Sequence, residues 1–249
     1  MDARGKKVIV TGGVRGLGRA LVEKLVAMEA SVAVFDLNAQ GLAELRARHA
    51  GVNCFECDVS SYEHVTEVAR RYHEQFGAAD VLVNNAGILY SAPLVRITMS
   101  GVERHDAAMW DKVLAADLSS VFYMTSVVVE KMIATRTKGV VVNVSSVSAA
   151  GNAGQSAYSA AKAGVNALTA TWAKELSPMG IRVVAVAPGF TETESTKEAI
   201  SEAVLRETLK RVPLKRLGKP EEIADGILAL IENDFFNGKV FELDGGLVI

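Results

Sequence analysis

The amino-acid sequence predicts an α/β fold of three layers, in which helices cover both faces of a doubly wound parallel sheet. Apolar, strand-like runs alternate with helical stretches along the chain, an order typical of parallel sheets. The predicted strands, such as GVVVNV at 139–144, are continuously apolar, as strands covered on both faces are. No linker rich in proline or serine and no internal repeat divides the sequence, so we expect one domain over residues 1–249.

Each predicted element has a local signature. The first helix carries Leu17, Leu21 and Leu25 at helical spacing. The helix after the third strand ends at Gly77, where a glycine cap is expected. Strands are predicted over residues 6–12, 31–36, 52–59, 79–87, 139–146, 181–189 and 240–246, and helices over 15–29, 39–49, 62–77, 157–177 and 192–210.

Composition and charge narrow the possible classes of function. Hydrophobic residues make up 49% and charged residues 22% of the chain, and the formal net charge is -2, with no long run of one sign. A basic nucleic-acid footprint is therefore not expected. The N-terminus lacks the long apolar region of a signal peptide, and the apolar runs are too short to cross a bilayer. We expect a cytoplasmic protein with no nucleic-acid or membrane partner.

Two cysteines, Cys54 and Cys57, have the C-x-x-C spacing that redox and zinc sites share. A zinc site needs about four ligands, and no second C-x-x-C or close histidine pair follows. The segment is also a predicted strand, in which residues three apart point to opposite faces. We interpret both cysteines as structural and expect no metal site.

A glycine-rich turn, TGGVRGLG at 11–18, joins the first strand to the first helix. Gly12, Gly16 and Gly18 permit unusual φ values and a close approach of the backbone to a pyrophosphate. The helix N-terminus that follows offers free N–H groups and the positive end of the helix dipole to an anion. The turn predicts dinucleotide binding, although any tight strand-to-helix turn can use glycine.

Asp36 ends the second strand, about 20 positions after Gly16. A carboxylate there accepts hydrogen bonds from the adenosine ribose hydroxyls and repels a 2′-phosphate, which favours NAD over NADP. Arg15 favours the opposite choice, because a guanidinium can hold a phosphate, but Leu37 supplies no second base. NAD is the predicted cofactor and NADP the alternative; a helix N-cap is the other role open to Asp36.

Polar residues and glycine also follow the third and fourth strands. Asp58 is placed to bond the adenine amino group or to cap the next helix, for which Ser60 and Ser61 are rival candidates. The asparagines of NNAG at 84–87 can bond backbone groups and link strands. Gly87 would leave room for a ribose or a nicotinamide.

Tyr158 and Lys162 stand at i and i+4 and therefore share one helix face. A free phenol has a pKa near 10 and is a poor base at neutral pH, but a nearby ammonium or an oxidised nicotinamide favours the phenolate. Lys162 can also hold the nicotinamide ribose, and the small residues around the pair leave space for ligands. The pair predicts a proton-transfer site, the other interpretation being ordinary exposed helix surface.

TGGVRGLG, Asp58, NNAG, NVSS, YSAAK and APG together resemble, in order and approximate spacing, the classical type of the short-chain dehydrogenase/reductase family, over essentially the whole chain. The resemblance implies a Rossmann-type domain that transfers hydride between NAD(P) and an alcohol/ketone pair. It implies Tyr158 as general acid/base and Lys162 as the group that lowers its pKa and orients the cofactor. Cofactor contacts are expected at Gly12, Arg15, Gly16, Leu17, Gly18, Asp36, Asp58, Val59, Asn85, Gly87, Tyr158, Lys162, Gly189 and Thr191.

Two departures from the family pattern concern catalytic residues. The family's serine, which bonds the substrate oxygen, lies thirteen residues before the tyrosine; here Ser146 lies twelve and Ser145 thirteen before it. Alternation puts these serines on opposite sides, so one serves, and Ser146 is favoured because VNVSS aligns with the strand end. Asp117 occupies the slot of the family's asparagine, which holds a water in a relay to the lysine; its charge favours a protonated Lys162.

The substrate is expected between a loop over about 88–108 and a lid over about 190–212. The long loop, GQSAYSAAK and the ending IENDFFNGKVFELDGG resemble the NAD-using 3-hydroxyacyl-CoA/hydroxysteroid branch of the family. We therefore predict a β-hydroxyacyl-CoA-like substrate. Candidate contacts for CoA phosphates, otherwise solvated charges, are Arg96, Arg104, Lys197 and Arg206.

Two other functions stay open at this stage. Arg15 and GNAGQSAY support a 3-oxoacyl-carrier-protein reductase that uses NADPH. Asp117 and the shortened serine spacing permit an inactive partner subunit of the same fold, which the intact Tyr158 and Lys162 oppose. Members of the family usually form tetramers or dimers, so we expect a homo- or hetero-oligomer, with the helix from Tyr158 and the tail GGLVI as candidate interfaces.

Overall fold

A parallel sheet of seven strands and a separate two-stranded hairpin make up the β-structure of this protein, which the computed structural model describes over residues 1–194, 196 and 202–247. In chain order the strands are β1 (Lys7–Thr11), β2 (Ser31–Asp36), β3 (Asn53–Glu56), β4 (Val81–Asn84), β5 (Val95–Thr98), β6 (Gly101–Arg104), β7 (Gly139–Val144), β8 (Ile181–Pro188) and β9 (Val240–Leu243). The helices are α1 (Gly16–Ala27), α2 (Ala39–Arg48), α3 (Tyr62–Phe76), α4 (Ala107–Leu114), α5 (Ser120–Ala134), α6 (Ser156–Leu176), α7 (Glu202–Arg211) and α8 (Pro220–Glu232).

The strand order of the large sheet is β3-β2-β1-β4-β7-β8-β9, and neighbouring strands pair in parallel. The order reverses between β1 and β4, because the chain first runs outward through β2 and β3 and then returns to the other side of β1. Open α/β sheets bind ligands at such a point, beyond the carboxyl ends of the strands. The predicted doubly wound parallel sheet is confirmed.

Alternating strand residues build two separate apolar cores, one on each face of the sheet. Val8 and Val10 of β1 pack with Leu21 of α1 and with α2 and α8 on one face. Ile9, between them in the chain, packs with Tyr72 of α3 and with α5 and α6 on the other. Because successive strand side chains alternate between faces, the central strands need apolar residues at every position, which explains the valine-rich runs.

The two cysteines end up on opposite faces of the sheet, as the strand prediction required. Cys54 packs against the α1 and α2 core, and Cys57 belongs to the α3 and α5 core. Both are free; burial raises the pKa of the Cys54 thiol, and it raises the pKa of Cys57 to about 12. Neutral, packed thiols of this kind are inert. In the part of the chain that the structure describes, no cluster of His, Cys, Asp and Glu could hold a metal ion.

Residues 95–104 fold into a hairpin, where the sequence predicted a loop without regular structure. Antiparallel β5 and β6 put Ile97 beside Val102 on an exposed face, with Ile97 88% exposed. The ion pair of Arg96 with Glu103 lies on the opposite face. Two runs of four residues are too short for a period to register, and apolar side chains that face solvent do not follow the usual pattern.

Helices α4 and α5 are continuous through a π-helical turn at Ala115–Ser119. The joined stretch, Ala107–Ala134, is long and apolar enough to cross a membrane by length and composition, so the expectation that every apolar run is too short is wrong here. Half of its apolar window is buried inside the protein, where α5 packs against α3 and the sheet. The same properties belong to the core helix of an ordinary three-layer fold.

Candidate active site

A cavity of about 1000 Å³ opens beyond the carboxyl ends of the strands, at the point where the strand order reverses. Its wall brings together side chains from both halves of the sheet, as the binding crevice of a doubly wound fold does. The predicted site residues that line it are Gly12, Arg15, Gly16, Leu17, Asp36, Asp58, Val59, Asn85, Gly87, Asp117, Ser146, Tyr158, Lys162, Gly189 and Thr191.

The glycines of the first turn have different roles. A Cβ on Gly12 would lie 2.8 Å from the Ala86 Cα, and one on Gly18 would lie 2.2 Å from the Gly12 carbonyl oxygen. These two glycines therefore let the turn pack against itself and against the end of β4. Gly18 is buried and lies outside the cavity wall, so its predicted cofactor contact is corrected to a packing role. Gly16, with φ of +55°, faces the cavity, with Thr193 3.6 Å away from a Cβ built there.

The start of α1 is suited to an anion. Arg15 precedes the helix without capping it through its side chain, and the first turn holds no acidic residue. The first N–H groups of a helix lack partners within the helix, and Gly16 and Leu17 line the cavity. An uncapped helix N-terminus beside a glycine turn fits the phosphates of a dinucleotide.

Asp36 links the glycine turn to the loop before α2. Its Oδ2 accepts the Val14 N–H at 3.2 Å, and its Oδ1 accepts the Asn38 N–H at 3.0 Å. Asn38 is the residue that caps α2, by accepting the Gly41 N–H at 3.0 Å. The N-cap interpretation of Asp36 is therefore excluded, and its carboxylate stands at the cavity wall, as does the exposed Arg15.

Asp58 follows β3 and is not a helix cap either. Its Oδ1 accepts the Ser60 N–H at 2.9 Å and the Ser60 hydroxyl at 2.6 Å. Ser61 caps α3 by accepting the His64 N–H at 3.3 Å. Asp58 and Val59 line the same end of the cavity as Asp36 and Leu37.

The end of β4 is tied to the glycine turn. The Asn85 amide donates to the Thr11 and Gly12 carbonyl oxygens at 3.0 and 2.9 Å, so its side chain holds the protein rather than reaching for a ligand. Gly87 adjoins both Asp117 and the cavity. A Cβ on Gly87 would lie 2.8 Å from Oδ2 of Asp117, so the absence of a side chain leaves room for that carboxylate.

Tyr158 and Lys162 lie on the cavity face of α6. The Lys162 ammonium is 5.6 Å from the centroid of the Tyr158 ring, and it donates a hydrogen bond to the Val144 carbonyl oxygen at 3.0 Å. Lys162 is almost completely buried, with 4% of its surface exposed. The start of α6 is rich in alanine, which keeps the phenol accessible from the cavity.

The two candidate serines point in different directions. The Ser145 hydroxyl donates to Oδ1 of Asn166 at 2.5 Å and lies 3.3 Å from the Lys162 carbonyl oxygen, so it is bound to α6. Ser146 also lines the cavity, where its hydroxyl accepts the Ser148 N–H at 3.1 Å and lowers the pKa of the Tyr158 phenol. This geometry favours Ser146 over Ser145, in line with the sequence preference.

Asp117 is fully buried in the middle of the π-helical turn. Its Oδ1 accepts the Ile88 N–H at 2.7 Å, and its Oδ2 lies 3.4 Å from the Lys162 ammonium. Oδ2 accepts no hydrogen bond from the described part of the protein. The π turn, one residue longer than an α turn, carries Asp117 into the active site between β4 and α6.

The buried charges act on one another. Burial raises the pKa of Asp117, while the Lys162 ammonium and the Ile88 N–H oppose that rise. Burial disfavours the charged form of Lys162, but attraction to Asp117 and Tyr158 prevails and holds the pKa of Lys162 above its ordinary value. Burial also raises the pKa of Tyr158; Lys162 lowers it, and Asp117 raises it further.

The substrate side of the cavity includes residues that the sequence analysis missed. Asp111 and Lys112 of α4 and Ala115 and Ala116 of the π turn line the wall. Their i, i+4 spacing in WDKVLAAD, directly before Asp117, is a signal from which they could have been found.

The loop after β4 contributes to the cavity only at its start. Ile88 and Leu89 line the wall, and the loop is then held by Gln155, which donates to the Ser91 hydroxyl at 3.2 Å. None of the described residues 95–104 lines the cavity in this structure, so only the first part of the predicted substrate loop over 88–108 adjoins it. Arg96 is engaged by Glu103 in the hairpin.

The predicted lid over 190–212 is described in part. Thr191 is buried, donates to the Gly189 carbonyl oxygen at 3.2 Å and lines the cavity. Thr193 and Thr196 also line it, with their hydroxyls 3.0 Å apart. Lys197 and the side chain of Arg206 lie outside the described residues.

Comparison with known proteins gives this geometry a family. A family profile described as short chain dehydrogenase matches residues 6–203. The chain is 41% identical over 256 residues to the 3-oxoacyl-[acyl-carrier-protein] reductase FabG of Thermotoga maritima, with 100% of both chains covered. It is 37% identical to the protein of that name from Salmonella typhimurium and 36% identical to that from Chlamydia pneumoniae, with at least 97% of each chain covered.

The chain belongs to the short chain dehydrogenase family. It is therefore an oxidoreductase that works with a nicotinamide cofactor, and the predicted family and Rossmann-type fold are confirmed. As a short chain dehydrogenase it departs from the expected residues at Asp117, which stands next to the lysine of its YSAAK motif. These relatives are named for a substrate on acyl carrier protein, whereas the sequence analysis predicted a CoA-type substrate.

Proposed function

We propose that this protein is a ketoreductase that reduces 3-oxoacyl thioesters, with Tyr158 as the acid that protonates the substrate carbonyl. The observation that carries the proposal is the meeting of Tyr158, Lys162 and Ser146 in one cavity at the carboxyl ends of the strands. Support for the substrate class comes from relatives at 36% to 41% identity that are named 3-oxoacyl-[acyl-carrier-protein] reductases.

The proton step follows from the positions of the side chains. In reduction Tyr158 donates its phenolic proton to the carbonyl oxygen, and in oxidation the phenolate accepts the hydroxyl proton. Ser146 donates a hydrogen bond to the same oxygen and stabilises the charge that develops on it. The Lys162 ammonium, 5.6 Å from the centroid of the Tyr158 ring, favours the phenolate form of Tyr158. When bound, the nicotinamide supplies hydride in reduction and accepts it in oxidation.

For the cofactor we propose NAD(H), with NADP(H) as the alternative. The support is the Asp36 carboxylate, which two backbone N–H groups hold at the cavity wall. Arg15 is exposed at that wall and supports NADP(H), because its guanidinium can bind a 2′-phosphate. Residues that would hold the phosphates are Gly16 and Leu17, with Asp58 and Val59 toward the adenine.

A second candidate function is the oxidation of a 3-hydroxyacyl-CoA with NAD. The observation that favours it is again Asp36, because oxidation consumes the oxidised cofactor and the Asp36 carboxylate favours NAD over NADP. The two candidates share all the chemistry at Tyr158 and differ in the carrier of the acyl group and in the direction of the reaction.

Three further expectations belong to the proposal: a cytoplasmic location, a lid over about 190–212, and a single domain that spans the chain.

We also propose that the protein is a dimer or a tetramer. Support comes from large apolar side chains on α5 that face solvent, Phe122 at 49% and Ile133 at 41% exposure. The sequence predicted other interfaces, the helix from Tyr158 and the tail, and the tail is described only as far as the buried Leu247, with Val248 and Ile249 outside the described residues. Light scattering in solution would give the oligomeric state directly.

Steady-state assays test the proposed activity. The purified protein is given 3-oxoacyl thioesters of acyl carrier protein and of coenzyme A, each with NADH and with NADPH, and the reverse reactions are measured with the 3-hydroxy compounds. We expect turnover, with the highest kcat/KM for a carrier-protein thioester and NADH. A strong preference for NADPH would refute the cofactor, and a preference for coenzyme A would favour the second candidate.

A pair of tyrosine variants tests whether the protein is an active enzyme or an inactive partner subunit. Tyr158→Phe is expected to lower kcat by on the order of 10² to 10⁴ while cofactor binding is retained. Tyr62→Phe, at a side chain 47% exposed, is the matched control and should leave kcat unchanged. Equal activity of the wild type and Tyr158→Phe would show that the measured turnover does not use this site.

A further inference from the structure

The active site contains a complete ion pair instead of a single positive charge. Lys162 and Asp117 are 4% and 0% exposed, and their charged atoms are 3.4 Å apart. The Asp117 carboxylate also accepts the Ile88 N–H at 2.7 Å, which stabilises its ionised form. A buried charge of either sign is costly alone, so each member of the pair sustains the other.

The net charge of the buried group decides how easily it loses a proton. With Asp117 ionised, Lys162 charged and Tyr158 neutral, the three side chains sum to zero, and loss of a proton leaves one net negative charge in a buried site. With a neutral amide at 117, the same loss would lead from one positive charge to zero. Because Tyr158 and Lys162 are coupled, this holds whichever of the two gives up the proton.

We propose that Asp117 is a positioning residue that keeps the Tyr158–Lys162 pair protonated. A pair that stays protonated over a wide pH range is suited to donating a proton in ketone reduction. The proposal rests on the proposed function for its catalytic consequence. Its physical part, the charge balance among Asp117, Lys162 and Tyr158, does not depend on the identity of the substrate.

Other ionisable groups at the cavity act less strongly on this pair. Asp111 and Lys112 of α4 line the wall but are exposed and opposite in sign, so water and salt screen them. Arg15, Asp36 and Asp58 belong to the strand ends of β1, β2 and β3, on the other side of the switch point. The groups from β7 and the following turn, Ser145, Ser146 and Ser148, are hydroxyls without charge.

The kinetic test compares the wild type with Asp117→Asn in both directions. Oxidation needs the unprotonated pair and rises with pH; in Asp117→Asn this rise should move to lower pH by about half a unit or more, so that oxidation on its acidic side is about threefold faster. Reduction needs the protonated pair and should decline at correspondingly lower pH in the variant. Coincident profiles, or a displacement toward alkaline pH, would overturn the proposal.

A spectroscopic titration tests the same inference without turnover. The absorbance of tyrosinate is followed with pH in the protein without cofactor, and the contribution of Tyr158 is isolated from the five tyrosines by subtracting Tyr158→Phe. In the Asp117→Asn background the Tyr158 signal should appear at lower pH than in the wild type. If the wild type lacks activity with every substrate, the proposed function fails, and this titration still decides the role of Asp117.

Two further variants complete the design. Asp111→Asn removes the same charge from an exposed position of the same cavity and should move the profiles much less than Asp117→Asn. Asp117→Ser serves if Asp117→Asn does not fold, because it also removes the charge and should displace the titration in the same direction. Equal displacement by Asp111→Asn would mean that general charge, not the buried pair, sets the profile.

Discussion

Gly87 and Asp117 are in direct contact across the active site: a Cβ added to Gly87 would lie 2.8 Å from Oδ2 and 3.3 Å from Oδ1 of the carboxylate. The next residue, Ile88, donates its N–H to the same carboxylate. The end of NNAG therefore accommodates Asp117, because the absence of a side chain at position 87 leaves room for the carboxylate at position 117.

We predict that Gly87→Ala displaces the Asp117 carboxylate, because the new methyl group occupies its place. The expected costs are about 1 to 3 kcal/mol in the free energy of unfolding, as for overpacking elsewhere, and a lower kcat. In an Asp117→Ala background the same substitution should cost much less, since the clash is gone. Urea unfolding of the four proteins measures the coupling, and additive costs would contradict the contact.

The contact between Gly87 and Asp117 also illustrates where sequence reasoning ends. The central strands could be predicted because each buries both faces and is therefore continuously apolar, and the strand-end residues follow from the parallel order. Which atoms meet across that edge depends on features with no sequence period, such as the π-helical turn that carries Asp117. The hairpin at 95–104 was not predicted from the sequence because its short strands expose apolar residues such as Ile97.

Ser146 and Ser145 should respond differently to removal of their hydroxyls. Ser146→Ala is expected to lower kcat by on the order of 10², because a hydrogen-bond donor to the developing charge is lost. Ser145→Ala should instead lower the free energy of unfolding by about 1 to 2 kcal/mol, since its hydroxyl bonds Asn166 within the fold. Parallel measurements of kcat and of urea unfolding check both. A larger loss of kcat in Ser145→Ala would reverse the assignment.

Asp36 should control the choice between cofactors. Asp36→Ala removes the negative charge that repels a 2′-phosphate, so the ratio of kcat/KM with NADH to that with NADPH is expected to fall about tenfold or more, a change of about 1.4 kcal/mol. Adding Arg15→Ala should reverse the gain with NADPH, because the guanidinium is then missing. Asp36→Asn is the control for the hydrogen bonds to Val14 and Asn38, since its amide oxygen can still accept one of them.

A buried polar chain behind the active site should contribute measurably to stability. The Asn84 amide donates to Oδ1 of Asn143 at 2.9 Å, and the Asn143 amide donates to the Thr169 hydroxyl at 2.9 Å, which joins β4, β7 and α6. Asn143 is 0% exposed, and Asn143→Ala removes one hydrogen bond from each of two buried groups, although Asn84 keeps its bond to Thr125 and Thr169 its bond to the Val165 carbonyl oxygen. We expect a loss of about 1 to 3 kcal/mol in the free energy of unfolding. Thr169→Val should cost less, because it removes only one end of the chain.

The control for this network is a substitution on the exposed hairpin. Ile97→Ala, at 88% exposure, should change the free energy of unfolding by no more than about 0.5 kcal/mol. The measurement is the midpoint of urea unfolding at unchanged slope, which separates a change in stability from a change in the unfolded state. If Asn143→Ala and Ile97→Ala had equal effects, the hydrogen bonds from Asn143 would add nothing to the stability of the native fold. The active site would then be held in place by apolar packing alone, such as that of α6 against β8.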